Sequence, residues 1–493
     1  MSTNSPATYK SIFKVTVLLG SVRVFTICMK LITNKIVAVL LGTSGIGLLG
    51  IFQQTLHLIN AVNDLGISKS SVRNIAEANV SEDKTQISII YQIFNKLLYF
   101  FSITGAILTA VFSKQLSIWS FGTDIYQWPF VALAIAVFFN SLNTGQLAVL
   151  QGLRQFKNLA KASSIGAFVG VVVSAPLFFF LREDGIVHSL IFSGLTAFIV
   201  STFYIRKLKF QNVKILKSET IAHSKDMIRL GTSMMMVSFL VTVSGYLLRN
   251  YLSNHSGIDT VGVFHAGFTI VSSYFGLIFS AMAIDFFPRI SAVNKDNQQI
   301  EIEINKQSVV ILIILAPLIV LLLYTMPVFI EVLYSSEFIL TIKYVNCAIF
   351  GVFFFAIGQL FGMVLLAKNN SKVFTVYSFT MQLFFLLCNI FFFNLGGIMG
   401  MGIAYSVNML IYVLSIVIIN YKLYNIKLDR RSYKLGSIVI LFSTLSFFLK
   451  DIDPIWLRYI SGVVLFFTSA YYTIYMLKKI LEIKSFRQLL INK

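Results

Sequence analysis

Two basic side chains lie inside the first long apolar stretch of the chain. Arg23 and Lys30 are seven residues apart and therefore share one face of a helix, and Asn34 continues this face one turn later. An ionisable residue within an apolar span is costly unless it faces a partner or a water-filled cavity. Because residues 12–41 contain no acidic residue, this pattern predicts a basic cavity that receives an anionic substrate.

A stripe of polar side chains follows in the second apolar stretch. Gln53, His57, Asn60 and Asp64 are separated by four, three and four residues, a spacing that places them on one helical face. Later stretches carry two further candidates, Asn140 and Gln382. Amide and imidazole groups can bind the hydroxyls of a sugar, but polar stripes in membrane helices also serve as contacts between packed helices. Both interpretations remain open at this point.

The elements that hold these side chains must be membrane helices. Of the 493 residues, 57% are hydrophobic and 12% are charged, whereas a soluble domain has about 25% charged residues. Apolar stretches of about 20 residues are sufficient to cross the hydrocarbon core, and they follow one another along almost the whole chain. The sequence therefore predicts an all-α, polytopic membrane protein with about 14 transmembrane helices. The predicted spans are 12–41, 45–68, 87–112, 126–152, 160–181, 186–205, 229–252, 258–285, 306–330, 341–367, 372–393, 398–420, 434–450 and 455–477.

The placement of basic residues predicts the orientation. With the N-terminus in the cytoplasm, most of the 40 Lys and Arg residues fall in cytoplasmic connections, as the positive-inside rule requires. The same count places the C-terminus in the cytoplasm. Six basic residues fall on the external side, where Arg249 is expected to reach the lipid headgroups: Lys114, Arg182, Arg249, Lys343, Lys450 and Arg458.

Two short glycine-containing segments resemble each other. Residues 42–48 (GTSGIGL) precede the second predicted span, and residues 257–263 (GIDTVGV) precede the eighth. Six spans separate the segments, which indicates two parallel six-helix repeats around an axis along the membrane normal. The predicted division is an N-terminal half (1–205), a basic cytoplasmic linker (206–228), a C-terminal half (229–420), and two additional helices with a basic tail (421–493).

Other classes of function lack support in the sequence. The net charge of +20 comes from basic residues in short connections, so we expect no nucleic-acid partner. The three cysteines lie in apolar stretches without a metal-binding or disulfide pattern. The sequence has no ATP-binding loop and no hydrolase motif. We therefore expect that the protein is not an enzyme and binds no metal or cofactor.

Five segments resemble the Wzx-type oligosaccharide flippases, which belong to the superfamily of MATE exporters and lipid II flippases (MOP superfamily). In chain order they are 35–48 (KIVAVLLGTSGIGL), 150–154 (LQGLR), 333–338 (LYSSEF), 365–368 (LLAK) and 400–405 (GMGIAY). The resemblance extends over the first twelve spans. It implies an inner-membrane protein that moves undecaprenyl-diphosphate-linked oligosaccharide units, such as O-antigen units of lipopolysaccharide, to the periplasmic leaflet by alternating access.

The resemblance also implies partners and leaves alternatives. A polysaccharide polymerase and a chain-length regulator act in the same pathway and are candidate partners, in addition to the bilayer itself. Arg23 or Lys30 would neutralise the diphosphate, and Asn34, Gln53, His57, Asn60, Asp64, Asn140 and Gln382 would line the path. A cation-coupled multidrug exporter and a membrane polysaccharide polymerase remain alternatives. Asp64 with His57 could carry protons, and coupling to protons or to sodium is open.

Overall fold

A computed structural model describes residues 6–80, 84–213, 215 and 217–481. The end of the predicted basic tail, 482–493, lies outside the described residues, as do Lys214 and Leu216 of the predicted linker. The described residues form α-helices and contain no strand. The helices are α1 (Pro6–Asp64), α2 (Ile67–Val80), α3 (Lys84–Val111), α4 (Ser113–Phe121), α5 (Gln127–Gly152), α6 (Phe156–Leu181), α7 (Gly185–Arg206), α8 (Lys217–Ser256), α9 (Ile258–Phe268), α10 (Phe275–Ala292), α11 (Asn297–Leu333), α12 (Ile339–Ala367), α13 (Ser371–Tyr424), α14 (Arg430–Leu449) and α15 (Ile455–Leu481).

The prediction of an all-α polytopic membrane protein is confirmed. Ten segments of the described chain are long and apolar enough to cross a membrane. Three of them each contain two predicted spans: Val17–Asp64, Phe156–Arg206 and Ser371–Tyr424. The predicted span 229–252 lies in α8, which has 40 residues and is not among these ten segments. The thirteenth predicted span is α14, a helix of 20 residues.

Glycine kinks divide the two longest helices. In α1, Gly42 has a φ of 67°, a left-handed conformation that glycine adopts without steric cost. In α13, Gly397 has a φ of 56°. Each helix therefore consists of two predicted spans that are joined by a sharp bend rather than by a loop.

Contacts divide the chain into two compact units. The first contains Met1–Ala266 and Leu333–Glu337, and the second contains Gly267–Val332 and Phe338–Lys493. The core of the first unit includes Phe94, Leu142 and Ile205, which come from α3, α5 and α7 and are almost fully buried. In the second unit, α12 packs closely on α13 because Gly351 and Gly358 leave room for tyrosine rings of α13.

Asn305 of α11 makes several hydrogen bonds to the connection between α13 and α14 in the second unit, beside Glu301, which accepts from the Lys427 backbone nitrogen at 3.1 Å. The Asn305 side chain is 9% exposed. Its Nδ2 donates to the Lys427 carbonyl oxygen at 3.2 Å, and its Oδ1 accepts from the Asp429 backbone nitrogen at 2.9 Å. The same oxygen accepts from Ser432 Oγ at 3.3 Å, at the start of α14. Asn305 thus satisfies backbone groups that would otherwise lack partners.

We expect that Asn305→Ala destabilises the attachment of α14. The substitution leaves the Asp429 nitrogen and the Lys427 carbonyl without this partner, which should lower the free energy of unfolding by about 1–3 kcal/mol. Thermal unfolding of the purified protein in detergent measures the effect. Asn158→Ala is the control, because the Asn158 side chain bonds locally, to Gln155 three residues earlier. Equal melting temperatures for the two variants would contradict this role of Asn305.

Candidate functional site

The kink at Gly42 places both candidate stretches of the sequence on one bent helix. Residues before Gly42 carry Arg23, Lys30 and Asn34, and residues after it carry Gln53 and His57. Lys30 and His57 are both exposed although each lies within an apolar segment. Contact with lipid would be costly for these groups, so their exposure indicates a water-filled space.

Four basic side chains of the first unit come together around this helix. His57 interacts electrostatically with Lys30 and with Arg249 of α8. His265 of α9 interacts with the same two cations. We call Lys30, His57, Arg249 and His265 the basic cluster. The cluster joins three helices of the first unit, and two of them, α1 and α9, belong to segments apolar enough to cross a membrane. Its positive charge suits an anionic ligand.

Arg249 corrects an expectation from the sequence. Its position near the end of a predicted span suggested that it reaches toward lipid headgroups, but the side chain is buried, with 6% exposure. Its Nη1 donates to the Gly245 carbonyl oxygen at 3.0 Å, and its Cζ lies 5.7 Å from the centre of the Phe264 ring. The guanidinium is thus held in the protein interior by a backbone carbonyl and an aromatic face.

His265 was not identified from the sequence. Its Nδ1 is buried and has no hydrogen-bond partner among the described residues. The ring packs on Gly50 of α1, where a Cβ atom would lie 2.9 Å from Nδ1. The sequence does contain a signal for this residue. The alignment of the two glycine segments, which pairs Gly42 with Gly257, also pairs Gly50 with His265. It pairs Asn34 with Arg249 as well.

The remaining residues predicted on α1 take different positions. Arg23 is exposed and interacts electrostatically with Lys30, so it extends the positive charge along the helix. Asn34 is buried, with 8% exposure, and Gln53 is half-buried. These three residues lie on the same bent helix as the basic cluster.

Four predicted residues lie outside the basic cluster. Asn60 accepts a hydrogen bond from Ser141 Oγ at 2.8 Å, and Asp64 accepts one from the Ser68 backbone nitrogen at 3.1 Å. Asn140 donates to the Ala136 carbonyl oxygen at 2.9 Å. It also packs against Gly194 of α7 and so forms a contact between α5 and α7. Gln382 lies in α13, in the second unit. Within the first unit, the structure therefore places Asn60, Asp64 and Asn140 in contacts outside the basic cluster.

The two similar glycine segments contact each other reciprocally. Gly47 packs directly on the Ile258 carbonyl oxygen, and Gly262 packs directly on the Thr43 carbonyl oxygen. In the register of the two segments, Gly47 corresponds to Gly262 and Thr43 corresponds to Ile258. In each segment, the equivalent glycine thus packs on the equivalent backbone carbonyl of the other segment, as in a two-fold symmetric interface. We call this pair of contacts the glycine seal.

Polar side chains surround the glycine seal. Thr43 Oγ1 donates to Asp259 Oδ1 at 2.6 Å, and Ser44 Oγ donates to Glu183 Oε1 at 3.2 Å. The Glu337 carboxylate lies against Gly42. These groups line an open depression of about 630 Å³. Segments 35–48 and 333–338, which carry part of the sequence resemblance, meet here, since Lys35 Nζ donates to the Tyr334 carbonyl oxygen at 2.6 Å.

The fold is similar to solved transporters. The lipid II flippase MurJ in an inward closed conformation matches with a TM-score of 0.72 and 14% identity, over 96% of this chain and 100% of MurJ. An inward-facing MATE family multidrug resistance transporter of the MOP superfamily matches with a TM-score of 0.70 and 13% identity, over 86% of this chain and 99% of that one. The Vibrio cholerae MATE transporter VcmN in the bent form matches with a TM-score of 0.56 and 12% identity, over 89% of this chain and 99% of that one.

Sequence comparison identifies the family. A search of curated protein sequences found no match. The model of one family, described as "Polysaccharide biosynthesis protein", matches residues 36–343. This range includes the end of the first predicted span (36–41), the glycine seal and the connection between α11 and α12. Because the match extends over more than half of the chain, the protein belongs to the polysaccharide biosynthesis protein family.

Proposed function

We propose that the protein is a flippase for lipid-linked oligosaccharides. Its cargo is an undecaprenyl-diphosphate-linked repeat unit, such as an O-antigen unit, which it moves from the cytoplasmic to the periplasmic leaflet of the inner membrane. The observation that carries this proposal is the basic cluster. A protein of a polysaccharide biosynthesis family that places Lys30, Arg249 and two histidines inside apolar segments is suited to an anionic polysaccharide precursor.

The chemistry of the cargo explains why cations are needed within the membrane. A diphosphate-sugar headgroup is charged and polar, and its transfer through hydrocarbon without a partner is prohibitive. Lys30 and Arg249 can neutralise the diphosphate by charge-assisted hydrogen bonds, and Arg23 adds a cation toward the start of the same helix. Asn34 and Gln53, on the same bent helix, are candidates for contacts to the sugar hydroxyls. The lipid tail remains in the bilayer.

The glycine seal supplies a closure for alternating access. In this proposal the N- and C-termini lie in the cytoplasm, and the seal closes the periplasmic side between the two six-helix halves, 1–205 and 229–420. Glycines at the contact allow the backbones to approach without side chains between them. When the seal opens, the headgroup leaves toward the periplasm, where a polymerase and a chain-length regulator can use it.

The similarity to MATE transporters supports a second candidate function, the export of drugs. The two functions differ in the charge of the cargo, because cationic drugs require acidic side chains within the membrane. The charged groups that act on His57 and His265 are both cations, Lys30 and Arg249, which favours an anionic cargo.

The flippase proposal is tested by locating lipid-linked sugars in a deletion strain. Spheroplasts and inverted membrane vesicles are treated with a membrane-impermeant enzyme that cleaves the sugars. Accumulation of repeat units on the cytoplasmic face, removed by restoring the gene, is the expected result. Single units on the periplasmic face would indicate a polymerase. Unchanged sugars together with new sensitivity to cationic drugs would indicate a drug exporter.

We expect that removal of the two cations of the basic cluster prevents transport. Lys30→Gln combined with Arg249→Gln should reduce surface polysaccharide at least about tenfold, because each cation supplies a charge-assisted bond. Lys30→Arg, which keeps the charge, should retain function. Lys96→Gln, at an exposed lysine of α3, is the matched control. Normal polysaccharide in the double variant, at a normal protein level, would exclude this role of the cluster.

We expect that a side chain at Gly47 opens the glycine seal. Cysteines introduced at Thr43 and Asp259, whose side chains are in contact, report the closed state by disulfide formation in a Cys28→Ser background. Gly47→Leu should reduce the yield of this cross-link because the side chain meets the Ile258 backbone. Gly20→Leu is the control, since Gly20 has open space around it on the same helix. Equal yields in the two variants would show that the contact does not depend on glycine.

A further inference from the structure

The connection between α3 and α5 joins two segments that are each long and apolar enough to cross a membrane, Lys84–Val111 and Gln127–Gly152. It consists of the short helix α4 and a few flanking residues. A connection of this length cannot cross the bilayer and return, because one crossing takes about 20 helical residues. Helix α4 therefore lies at one surface of the membrane.

The burial pattern of α4 is the reverse of that of a helix whose outer side faces water. Its three serines, Ser113, Ser117 and Ser120, are buried. Ile118 and Trp119 are exposed, Trp119 to 55%. Buried polar residues beside exposed large apolar residues are informative, because a surface in contact with water normally shows the opposite. The outer side of α4 therefore faces a medium that accepts apolar side chains.

The exposed apolar side chains continue into the residues after α4. Ile125 and Trp128 are both exposed. The rings of Phe121 and Tyr126 pack against each other with their centroids 4.1 Å apart, which closes the turn between α4 and α5. We call four exposed residues of this region the apolar patch: Ile118, Trp119, Ile125 and Trp128.

Charged side chains of the same connection indicate its depth in the membrane. Lys114 Nζ lies 3.7 Å from Asp124 Oδ2, and both side chains are exposed. Exposed charges are costly in the hydrocarbon core, whereas the apolar patch is unfavourable in water. Tryptophan prefers the layer between the two, because its ring is apolar and its indole N–H can donate to headgroup oxygens. The connection therefore suits the layer of lipid headgroups.

The buried side of α4 contacts α8, the helix that carries Arg249. Ser120 Oγ and Tyr246 OH share a hydrogen bond of 3.1 Å. Asn254 Nδ2 donates to the Trp119 carbonyl oxygen at 3.0 Å. Arg249 lies between Tyr246 and Asn254 along α8. The position of α4 is thus linked to the part of α8 that belongs to the basic cluster.

We propose that α4 with the apolar patch is a lipid-binding surface. It binds the headgroup and glycerol layer of one membrane leaflet, and Trp119 and Trp128 are its anchoring side chains. Through Tyr246 and Asn254 it holds the adjoining end of α8 at this depth. Because Lys114 and Asp124 together carry no net charge, binding does not require anionic lipids. It also does not depend on the cargo that the protein moves.

Fluorescence quenching tests the depth of the two tryptophans. The chain has three tryptophans, so two Trp→Phe substitutions leave Trp119 or Trp128 alone. The full chain is reconstituted into phosphatidylcholine vesicles whose acyl chains carry bromine either near the headgroup or near the methyl end. We expect a larger loss of fluorescence with bromine near the headgroup, and weaker quenching by aqueous iodide than for free tryptophan.

Phe168→Trp in the tryptophan-free chain is the matched control. Phe168 is exposed to a similar degree, 54%, but lies in the middle of α6, so bromine near the methyl end should quench it more. The proposal is overturned if iodide quenches Trp119 and Trp128 as strongly as free tryptophan, which indicates a hydrated connection. It is also overturned if neither quencher acts, which indicates that protein covers the apolar patch.

A second measurement separates anchoring from folding. Trp119→Gln combined with Trp128→Gln removes the aromatic rings but leaves the buried serines of α4 unchanged. We expect a lower melting temperature in vesicles than for Trp119→Phe combined with Trp128→Phe, because glutamine is less favourable at this depth. A hydrated connection predicts no decrease. Thr123→Gln, at an exposed residue of the same connection, is the control. Equal melting temperatures for the glutamine and phenylalanine pairs would contradict the proposal.

Discussion

The structure depends on the cost of placing charge within a hydrocarbon layer. Lys30 lies in a segment apolar enough to cross a membrane, and Arg249 lies in the predicted span of α8. Such cations persist only where water, a carbonyl or an aromatic face surrounds them. Arg249 has two of these, the Gly245 carbonyl and the Phe264 ring, whereas Lys30 is exposed. A cluster of cations beside histidines is difficult to explain as a packing element. In the proposed function, an anionic ligand that is bound during part of the transport cycle offsets the cost of placing these cations in the membrane.

Close approach of helices around α1 depends on glycine in three different ways. Gly42 allows the bend within α1, the helix that carries both Lys30 and His57. Gly50 leaves room for the His265 ring, and Gly47 and Gly262 allow two backbones to meet in the glycine seal. A side chain at any of these positions would separate elements of the site. The same helix thus connects the glycine seal to the basic cluster. In the proposed function, opening the seal and releasing the ligand of the cluster therefore involve a shared element.

The sequence was sufficient for the class of fold but not for the site. Hydropathy is a local property, and it predicted α-helical spans whose positions agree with the helices, including α14. The kinks that fuse spans into α1 and α13 were not predicted, because the glycines could equally have belonged to loops. Lys30 and His57 were identified from their spacing, but Arg249 and His265 come from distant parts of the chain. Asn140 has the same polarity as the other candidates, and only its contact with Gly194 shows that it packs helices.

Helix α1 carries both signs of charge, and this arrangement limits how it can move. Lys30 and His57 belong to the basic cluster, and Asp64 lies at the C-terminal end of the same helix. The Asp64 carboxylate accepts two hydrogen bonds from Ser68 and interacts electrostatically with Lys69, so its charge is compensated within the protein. Movement of a helix that carries an uncompensated charge would take this charge past apolar surroundings. In the proposed function, an anionic headgroup bound at the basic cluster compensates the charge of Lys30 and thereby lowers the cost of moving the first part of α1.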